Sequence, residues 1–459
     1  MRRGGMEQEV TLMEMLEARE RRVLRQEQMR EKWGTPLISF TMNIPGPVKQ
    51  SPLIARAYHA GVQQLRAALQ AARIPLWETV QWSENTGMES IWATGGGARE
   101  LKALCTSIED GSPLGRLFDM DVLDAGGRKL GREEVGGGPR NCIVCGAAGK
   151  GCASRRVHRV EQLQGAARRI MEEHFRIADR EQAAALVTRA LLDEVCVTPK
   201  PGLVDRANNG SHRDMDIFTF TAAAAALAPY WSRCVQRGQE SARQRPEETF
   251  RLLREAGRQA ERTMFTATEG VNTHKGAIFT LGTICGAVGR LWRAEQPCRE
   301  PEAILEECAR MVSSAVTADM AELEGRTART AGERLYLERG LSGIRGEAAQ
   351  GFPGVSRIAL PALRQALAAG RSRNDAGAIA LLHLIAQVAD TNMAARGGAE
   401  GAKKGAENCA RLLEGCPMPE MEEIAALDRE FIRRNLSPGG CADLLSAALF
   451  LLDWSALLP

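Results

Sequence analysis

The chain has 459 residues, of which 44% are hydrophobic and 25% are charged, and its formal net charge is +3. This length exceeds what one hydrophobic core usually organises, so the sequence predicts two domains, and the ordinary composition excludes a disordered or fibrous protein. Because basic residues are scattered among acidic ones, the charge pattern argues against nucleic acid as a partner.

The two ends of the chain give no sign of export or membrane insertion. Residues Met1 to Met6 lead into a charged helical pattern without the apolar core of a signal peptide. The longest apolar stretch near the C-terminus contains Asp453 and is too short to span a bilayer. The 12 cysteines are spread along the chain with no secretory context. We therefore expect a cytoplasmic protein with reduced thiols and no membrane partner.

The first part of the chain mixes helical and strand patterns. Helical patterns run near residues 11–32 and 53–72, and residues 117–123 alternate apolar and polar side chains as a strand does. Because side chains alternate across a strand, Asp119 and Asp121 should project from the same face. The sequence thus predicts a mixed α and β domain that presents two carboxylates together.

These two aspartates are candidate catalytic residues and Mg²⁺ ligands, because Mg²⁺ prefers oxygen ligands and bridges to phosphates. Nucleotidyl transfer uses such a pair, and a solvated edge strand that carries acids is the alternative interpretation. Just upstream, Arg116 adds a guanidinium group suited to phosphate. Residues 39–49 predict a strand and a rigid Pro-Gly-Pro turn that presents Lys49 and, further on, Arg56. Lys49, Arg56 and Arg116 are our candidate phosphate contacts.

A cysteine-rich segment follows the predicted strand. Cys142, Cys145, Cys152 and His158 offer three thiolates and one imidazole, a set of ligands that suits structural zinc. The segment has one Cys-x-x-Cys pair where a two-knuckle zinc ribbon has two. Reduced structural cysteines are therefore the alternative to a zinc site.

Beyond a charged helical run at residues 166–182, the pattern changes to one of helices only. Apolar residues between Leu186 and Val195 recur at helical spacing, and alanine-rich segments continue to the end of the chain. Few runs alternate with period two, so a large sheet is not expected. We expect an N-terminal α+β domain at residues 1–165, a linker helix at 166–182 and a C-terminal all-α domain at 183–459.

Five polar blocks interrupt the helical pattern of the C-terminal part. They carry groups suited to phosphate, metal or sugar, and prolines and glycines mark the first as a loop. The blocks are residues 198–206 with 209–216, 270–276, 343–347 with 351–353, 390–392 with 396–398, and 437–443. Each alone is explained by a helix cap or a buried histidine, but together they suggest one site.

The first part resembles the citrate lyase holo-acyl-carrier-protein synthase family. The resemblance rests on the blocks PLISFTMNIPGPVKQSPLIARA, NTGMES and PLGRLFDMDVLD and on the cysteine segment, from residue 11 to about residue 165. It implies a nucleotidyltransferase-like domain that transfers a triphosphoribosyl-dephospho-CoA unit to a serine of the apo citrate lyase acyl carrier protein and releases pyrophosphate.

The second part resembles the triphosphoribosyl-dephospho-CoA synthase family, from about residue 185 to the end. The matching blocks are TPKPGLVDRANNGSHRDMD, GVNTHKGAIF, GIRGEAAQGFP, DTN, RGG and SPGGCADLL. The resemblance implies that the 2' hydroxyl of 3'-dephospho-CoA displaces adenine from the ribose of ATP. This glycosyl transfer requires a base, assistance for the leaving adenine and neutralisation of a triphosphate.

The polar blocks contain residues of each kind that this reaction requires. The pool for a base and for Mg²⁺ ligands is Asp205, Asp214, Asp216, Asp390 and Asp443, with Glu347 as a second candidate base. The candidate triphosphate contacts are Lys200, Arg206, Lys275, Arg345 and Arg396. His212 and His274 are alternative proton donors to adenine, and the sequence does not rank them.

Three other functions fit parts of the sequence. Maturation of malonate decarboxylase resembles the citrate lyase system in its use of the same intermediate. The first domain would alternatively be a zinc-stabilised module that only docks the carrier protein. The helical domain would alternatively be a metal-dependent hydrolase of N-glycosides, with water as the acceptor.

Overall fold

The computed structural model describes residues 8–149, 151–323, 327–328 and 331–457, so the N-terminal pattern at Met1 to Met6 lies outside the described residues. The chain forms two compact units. The first unit extends to Ile177 and includes residues 294–296, and the second contains residues 178–293 and 297–458.

The first unit combines helices with one small sheet. Its helices are α1 (Leu12–Trp33), α2 (Pro52–Ala71), α3 (Ala98–Asp110) and α4 (Gly151–Ser154), and its strands are β1 (Leu37–Met42), β2 (Leu76–Glu84), β3 (Gly87–Thr94), β4 (Phe118–Leu123) and β5 (Lys129–Leu130). Short 3₁₀ turns cover Leu114–Leu117 and Arg132–Val135. The strand predicted at residues 117–123 and the helices predicted near 11–32 and 53–72 are confirmed.

The second unit is built from helices. After α5 (Val160–Cys196), which crosses the boundary between the units, it contains α6 (Ile217–Ser241), α7 (Pro246–Ala267), α8 (Lys275–Arg290), α9 (Pro301–Leu323), α10 (Ala331–Arg339), α11 (Gly343–Ala349), α12 (Leu360–Ala368), α13 (Arg373–Gln387), α14 (Thr391–Gly415), α15 (Met421–Arg433) and α16 (Gly439–Ala456). A π-helical turn at Gly354–Ala359 leads into α12. The predicted change from mixed structure to helices is confirmed.

The five strands are antiparallel, in the order β2-β3-β1-β4-β5. Along β4, the apolar residues are buried and Asp119 and Asp121 alternate with them, so both carboxylates leave the same face. Helix α1 covers this face, because Met29 packs against β1 and β3 and Gln26 donates a hydrogen bond of 2.9 Å to the hydroxyl of Ser39. The two acids therefore lie on the face of the sheet that α1 covers.

Helices α8, α13 and α16 form the centre of the second unit. Nearly all of α16 between Leu444 and Leu451 is buried, which is expected of a helix that is apolar on all sides. Helix α6 crosses α8 at two glycines: a Cβ atom at Gly238 would overlap the carbonyl oxygen of Gly286, and one at Gly289 would overlap that of Val235. The two backbones touch at this crossing.

Over the residues that the structure describes, no single helix has the length and apolar composition of a membrane span. Helices α13 and α14 meet at a bend of 57° and reach that length and composition only as a pair.

Candidate functional site

A cavity of about 500 Å³ in the second unit is lined by residues from all five polar blocks. The predicted site residues in its wall are Lys200, Asp214, Lys275, Glu347, Asp390, Arg396 and Asp443, together with His212 and His274. Residues that are up to about 240 positions apart in the sequence thus meet around one space. This convergence makes the cavity the candidate active site of the second unit.

Four of the predicted residues do not line this cavity. The carboxylate of Asp205 accepts hydrogen bonds from the backbone N–H groups of Lys200, Ala207 and Asn208, so it organises its own loop. Asp216 caps the N-terminus of α6 through Thr219. Arg206 donates a hydrogen bond of 2.8 Å to the side-chain oxygen of Asn374. Arg345 lines a separate cavity of about 220 Å³, where its guanidinium lies 3.9 Å from the carboxylate of Asp319.

A buried ion pair forms one wall of the main cavity. Lys200 Nζ donates to Glu194 Oε1 at 2.6 Å, and both side chains are at most 4% exposed. Glu194 belongs to α5, whereas Lys200 follows in the first polar block. The pair neutralises Lys200, so Lys200 is a less available triphosphate contact than the sequence suggested.

Buried carboxylates surround this pair. Burial raises the pKa of Asp443 well above its usual value, and the negative charges of Glu194 and Asp390 raise it further, while the backbone N–H of Ala277 partly offsets them. Burial also raises the pKa of Asp390, although this carboxylate accepts hydrogen bonds from Asn392, Met393 and Cys441. Asp390 thereby joins the N-termini of α14 and α16.

Glu347 approaches the cavity from α11. Its Oε2 accepts a hydrogen bond of 2.9 Å from the backbone N–H of Gly354. Burial raises the pKa of Glu347, and this hydrogen bond lowers it in part. A carboxylate with a raised pKa is a stronger proton acceptor than a solvated one, which is the property that a general base requires.

Burial lowers the pKa of both histidines of the wall. Burial lowers the pKa of His274 to about 3, and the charge of Lys200 adds to this effect. Its Nδ1 lies 3.0 Å from the hydroxyl of Thr273, and Nε2 has no partner among the described residues. Burial likewise lowers the pKa of His212, whose Nε2 lies 2.8 Å from the Ser437 hydroxyl. Both shifts disfavour the protonated imidazolium.

Four helices begin at the cavity: α8, α11, α14 and α16 place their first residues in its wall. Helix N-termini carry unpaired N–H groups and a partial positive charge, which favour anions. A side chain at Gly276, the second residue of α8, would overlap Oδ2 of Asp443. The glycine therefore permits Asp443 to lie directly against this helix end.

The first unit has a smaller cavity of about 160 Å³, beside β4 and under α1. It is lined by Asp119, Lys49, Arg22 and Glu89, among others. Arg22 binds Glu89 through two hydrogen bonds of 2.6 and 2.7 Å. Burial raises the pKa of Asp119, and the nearby charge of Asp121 raises it further. The cavity therefore combines a desolvated carboxylate with basic groups.

The remaining predicted residues of the first unit lie outside this cavity. Asp121 forms an ion pair with Lys129, and the guanidinium of Arg56 stacks on Phe175, 4.0 Å from the ring centre. Arg116 donates a hydrogen bond to the backbone carbonyl of Asn141. The four residues of the cysteine segment, Cys142, Cys145, Cys152 and His158, do come together, with their ligand atoms within 4.8 Å of one another.

The sequence interpretation missed several residues that the structure places in these cavities, among them Glu194, Arg22 and Glu89. Glu194 lies within the regular pattern of α5, where no polar block marks it. Arg22 lies in the charged helix α1, among many similar side chains. Glu89 had a visible signal, because it is the acid of the NTGMES block, which was used only to identify the family.

Family models match both halves of the chain. Residues 10–174 match apo-citrate lyase phosphoribosyl-dephospho-CoA transferase, and residues 180–458 match ATP:dephospho-CoA triphosphoribosyl transferase. The chain is 32% identical to the protein named Protein CitXG of Haemophilus influenzae, over 97% of this chain and 96% of that protein. It is also 32% identical to Protein CitXG of Leuconostoc mesenteroides subsp. cremoris, over 98% of this chain and 97% of that protein.

The second half also has relatives of its own. It is 42% identical to the 2-(5''-triphosphoribosyl)-3'-dephosphocoenzyme-A synthase of Pectobacterium atrosepticum, over 60% of this chain and 88% of that protein. The two halves of the chain match two different transferase families, and each half contains its own cavity. The protein is therefore a bifunctional transferase of citrate lyase prosthetic-group biosynthesis. The chain belongs to the CitXG family, in which these two transferases are fused.

Proposed function

We propose that the second unit joins ATP to 3'-dephospho-CoA in the 500 Å³ cavity, and that the first unit transfers the product to a serine of the apo citrate lyase acyl carrier protein. The observation that carries the proposal is the convergence of all five polar blocks on one cavity whose wall includes the N-termini of α8, α14 and α16. The match of the first half to an apo-citrate lyase transferase favours citrate lyase over malonate decarboxylase as the target.

The triphosphate of ATP binds at the helix N-termini of the cavity. Lys275 and Arg396 are both exposed residues of the wall, and Lys275 Nζ lies 3.3 Å from Glu261. Their charges and the N-termini of α8 and α14 together suit a polyanion. Lys200, which is bound to Glu194, positions the wall and does not contact the phosphates.

In the reaction, the 2' oxygen of 3'-dephospho-CoA forms a bond to the anomeric carbon of the ATP ribose. The bond between this carbon and adenine breaks, and the electron pair leaves with the base. Glu347 accepts the hydroxyl proton and later releases it to solvent, and adenine takes up one proton from solvent as it leaves, so charge and atoms balance. Neutral His274 offers its unpartnered Nε2 as a hydrogen-bonding group for adenine.

The acids of the second-unit cavity fit Mg²⁺. Asp443 lies near Glu194 and Asp390, and this concentration of buried negative charge exceeds what Lys200 neutralises. Asp443 is the best candidate ligand, since the oxygens of Asp390 already accept three backbone hydrogen bonds, and exposed Asp214 at the cavity wall is a second. When bound, Mg²⁺ would neutralise the triphosphate.

The first unit is proposed to act as a nucleotidyltransferase. The serine oxygen of the carrier protein attacks the phosphorus bonded to the ribosyl 5'' oxygen, and pyrophosphate leaves with the electrons of the broken P–O bond. Asp119 and Asp121 are the proposed Mg²⁺ ligands, with Glu89 as a third acid on the neighbouring cavity wall. Lys49 and Arg116 are the proposed phosphate contacts.

A cytoplasmic location of the chain remains a prediction.

The identity of the leaving group tests the proposal for the second unit. The full chain is incubated with 3'-dephospho-CoA and with ATP labelled in the base or, separately, in the γ-phosphate. We expect the first label in free adenine and the second on the dephospho-CoA product. Free ribosyl triphosphate would indicate hydrolysis by water. ADP or free phosphate as the main product would overturn glycosyl transfer.

A further inference from the structure

We propose that Cys142, Cys145, Cys152 and His158 bind one structural zinc ion in the first unit. The Sγ atoms of Cys145 and Cys152 are 3.5 Å apart, and Nε2 of His158 is 3.3 Å from Sγ of Cys145. With Zn–S bonds of about 2.3 Å and Zn–N bonds of about 2.0 Å, a tetrahedral site places its ligand atoms about 3.5–3.8 Å apart. The observed separations are close to this range.

The backbone around the first two cysteines is folded as a metal-binding turn. The N–H of Gly146 donates to the carbonyl of Cys142 at 2.9 Å, and Gly146 has a left-handed φ of 73°. The N–H of Val144 points at Sγ of Cys142, at 3.5 Å. Such N–H groups stabilise the negative charge of a thiolate, which is the form that binds zinc. The turn therefore places Cys142 and Cys145 on the same side.

The described residues of this segment form no hydrophobic core of their own. Among the side chains that the structure describes between Gly136 and His158, none is fully buried. Small segments without a core are usually held by disulfides or by a metal ion, because burial alone does not compensate for the lost chain entropy. All four potential ligands converge in this segment. A zinc ion accounts for the convergence, whereas one disulfide would leave a thiol and the imidazole unused.

The proposed zinc site adjoins the strand that carries Asp119. Arg140, two residues before Cys142, donates to the carbonyl of Phe118 at 2.9 Å and forms an ion pair with Glu109. On the other side, Arg116 donates to the carbonyl of Asn141. Zinc would thus hold both arginines in place next to the acids of β4, and its loss should affect transfer to the carrier protein.

The zinc content of the purified full chain tests the proposal directly. We expect about one zinc ion per chain in the parent protein, measured by mass spectrometry of the metal, and a loss of most of it in Cys142→Ser and Cys152→Ser. Cys416→Ser, at an exposed cysteine of the second unit, is the matched control and should keep its zinc. Equal zinc in the parent and in Cys152→Ser would overturn the proposal.

Three further measurements distinguish zinc binding from misfolding and from oxidation. His158→Cys preserves four ligands and should retain zinc, whereas His158→Ala should bind it more weakly. Co²⁺ in place of zinc should give the visible absorption of tetrahedral thiolate coordination. A disulfide between Cys145 and Cys152 in the parent chain as purified, detected by mass spectrometry without reduction, would contradict the site.

The functional readout compares the two half-reactions in the same variant. With Mg²⁺ supplied, Cys152→Ser should lose at least about tenfold in transfer to the carrier protein, as is usual when a group that positions an active site is lost. Adenine release by the second unit should be unchanged. Equal impairment of both half-reactions would show that the segment does not act on the first unit specifically.

Discussion

The ammonium group of Lys200 lies 2.6 Å from Oε1 of Glu194 with both side chains almost completely buried, at the wall of the synthase cavity. A pair of this kind is retained where its position is required, since two apolar residues of similar volume would be about as stable. The arrangement shows that the lysine of the TPKPG loop is a part of the wall rather than a free cation.

Removing one partner of this pair should destabilise the second unit. Lys200→Met leaves Glu194 buried without a counter-charge, which costs about 3–5 kcal/mol. The double variant Lys200→Met with Glu194→Leu should regain much of this loss. Equilibrium urea denaturation measures the free energy of unfolding of the single and the double variant. A single variant as stable as the parent chain would show that Glu194 is solvated in solution.

Asp443→Asn should stabilise the unliganded chain and abolish adenine release. The pKa of Asp443 in the folded state is raised above 3.8, so folding favours the protonated form of this carboxyl group. Its contribution to the free energy of unfolding is therefore complete below pH 3.8, and it is lost as the pH rises through the raised pKa. The amide removes this penalty but also the charge, and we expect turnover to fall by about 10²–10⁴. Thermal denaturation at several pH values checks the predicted gain in stability, and chromatography of free adenine checks the predicted loss of activity. Lower stability at neutral pH would contradict the assignment.

Glu347→Gln should remove the acidic limb of the pH profile for adenine release. The base acts only when it is deprotonated, so activity should fall as the pH decreases through a pKa that lies above the usual 4.5. We expect kcat to drop by about 10²–10⁴ with little change in the KM for ATP. A variant that retains the parent pH profile would assign the base to another residue.

Lys275 and Arg345 should differ in their effect on ATP binding. Lys275 lines the main cavity, whereas Arg345 lines the separate one. Loss of a charge-assisted hydrogen bond of about 1.5–3 kcal/mol should raise the KM for ATP about 10- to 100-fold in Lys275→Met. Arg345→Met is the matched control and should keep the parent KM. The reverse pattern would place the triphosphate in the smaller cavity.

Asp119→Asn and Asp121→Asn should each abolish transfer to the carrier protein and leave adenine release unchanged. Asp124→Asn is the control on the same strand end, because the Asp124 carboxylate contacts Arg128, accepting a hydrogen bond from its backbone N–H at 2.9 Å and lying 3.4 Å from its guanidinium. Modification of the carrier protein is followed by its mass. Full transfer by Asp119→Asn would remove that carboxylate from the site.

The sequence identified elements and groups of residues better than individual roles. Alternation in residues 117–123 fixed the strand and the shared face of Asp119 and Asp121, because period two is a local property. Asp205 and Asp443 looked equivalent in sequence, since both are acids within polar blocks. Only the structure shows that three local N–H groups engage Asp205, whereas Asp443 lies against the start of α8.

Long-range pairing explains the other differences between the sequence interpretation and the structure. The neutralisation of Lys200 depends on Glu194, and the position of Arg345 depends on which side of α11 faces the cavity. Neither relationship follows from helical spacing, because each depends on how separate helices pack. Such pairing is the information that a single sequence lacks.

The glycine crossing of α6 and α8 has a consequence for mutational scanning. Gly289 lies 14 residues from Lys275 on α8, about 21 Å along a rigid helix whose other end forms part of the cavity. A methyl group at Gly238 or Gly289 must push the helices apart, and the displacement is transmitted along α8 to its first turn. A selection for growth on citrate would therefore score both glycines as if they were active-site residues, although neither lines the cavity.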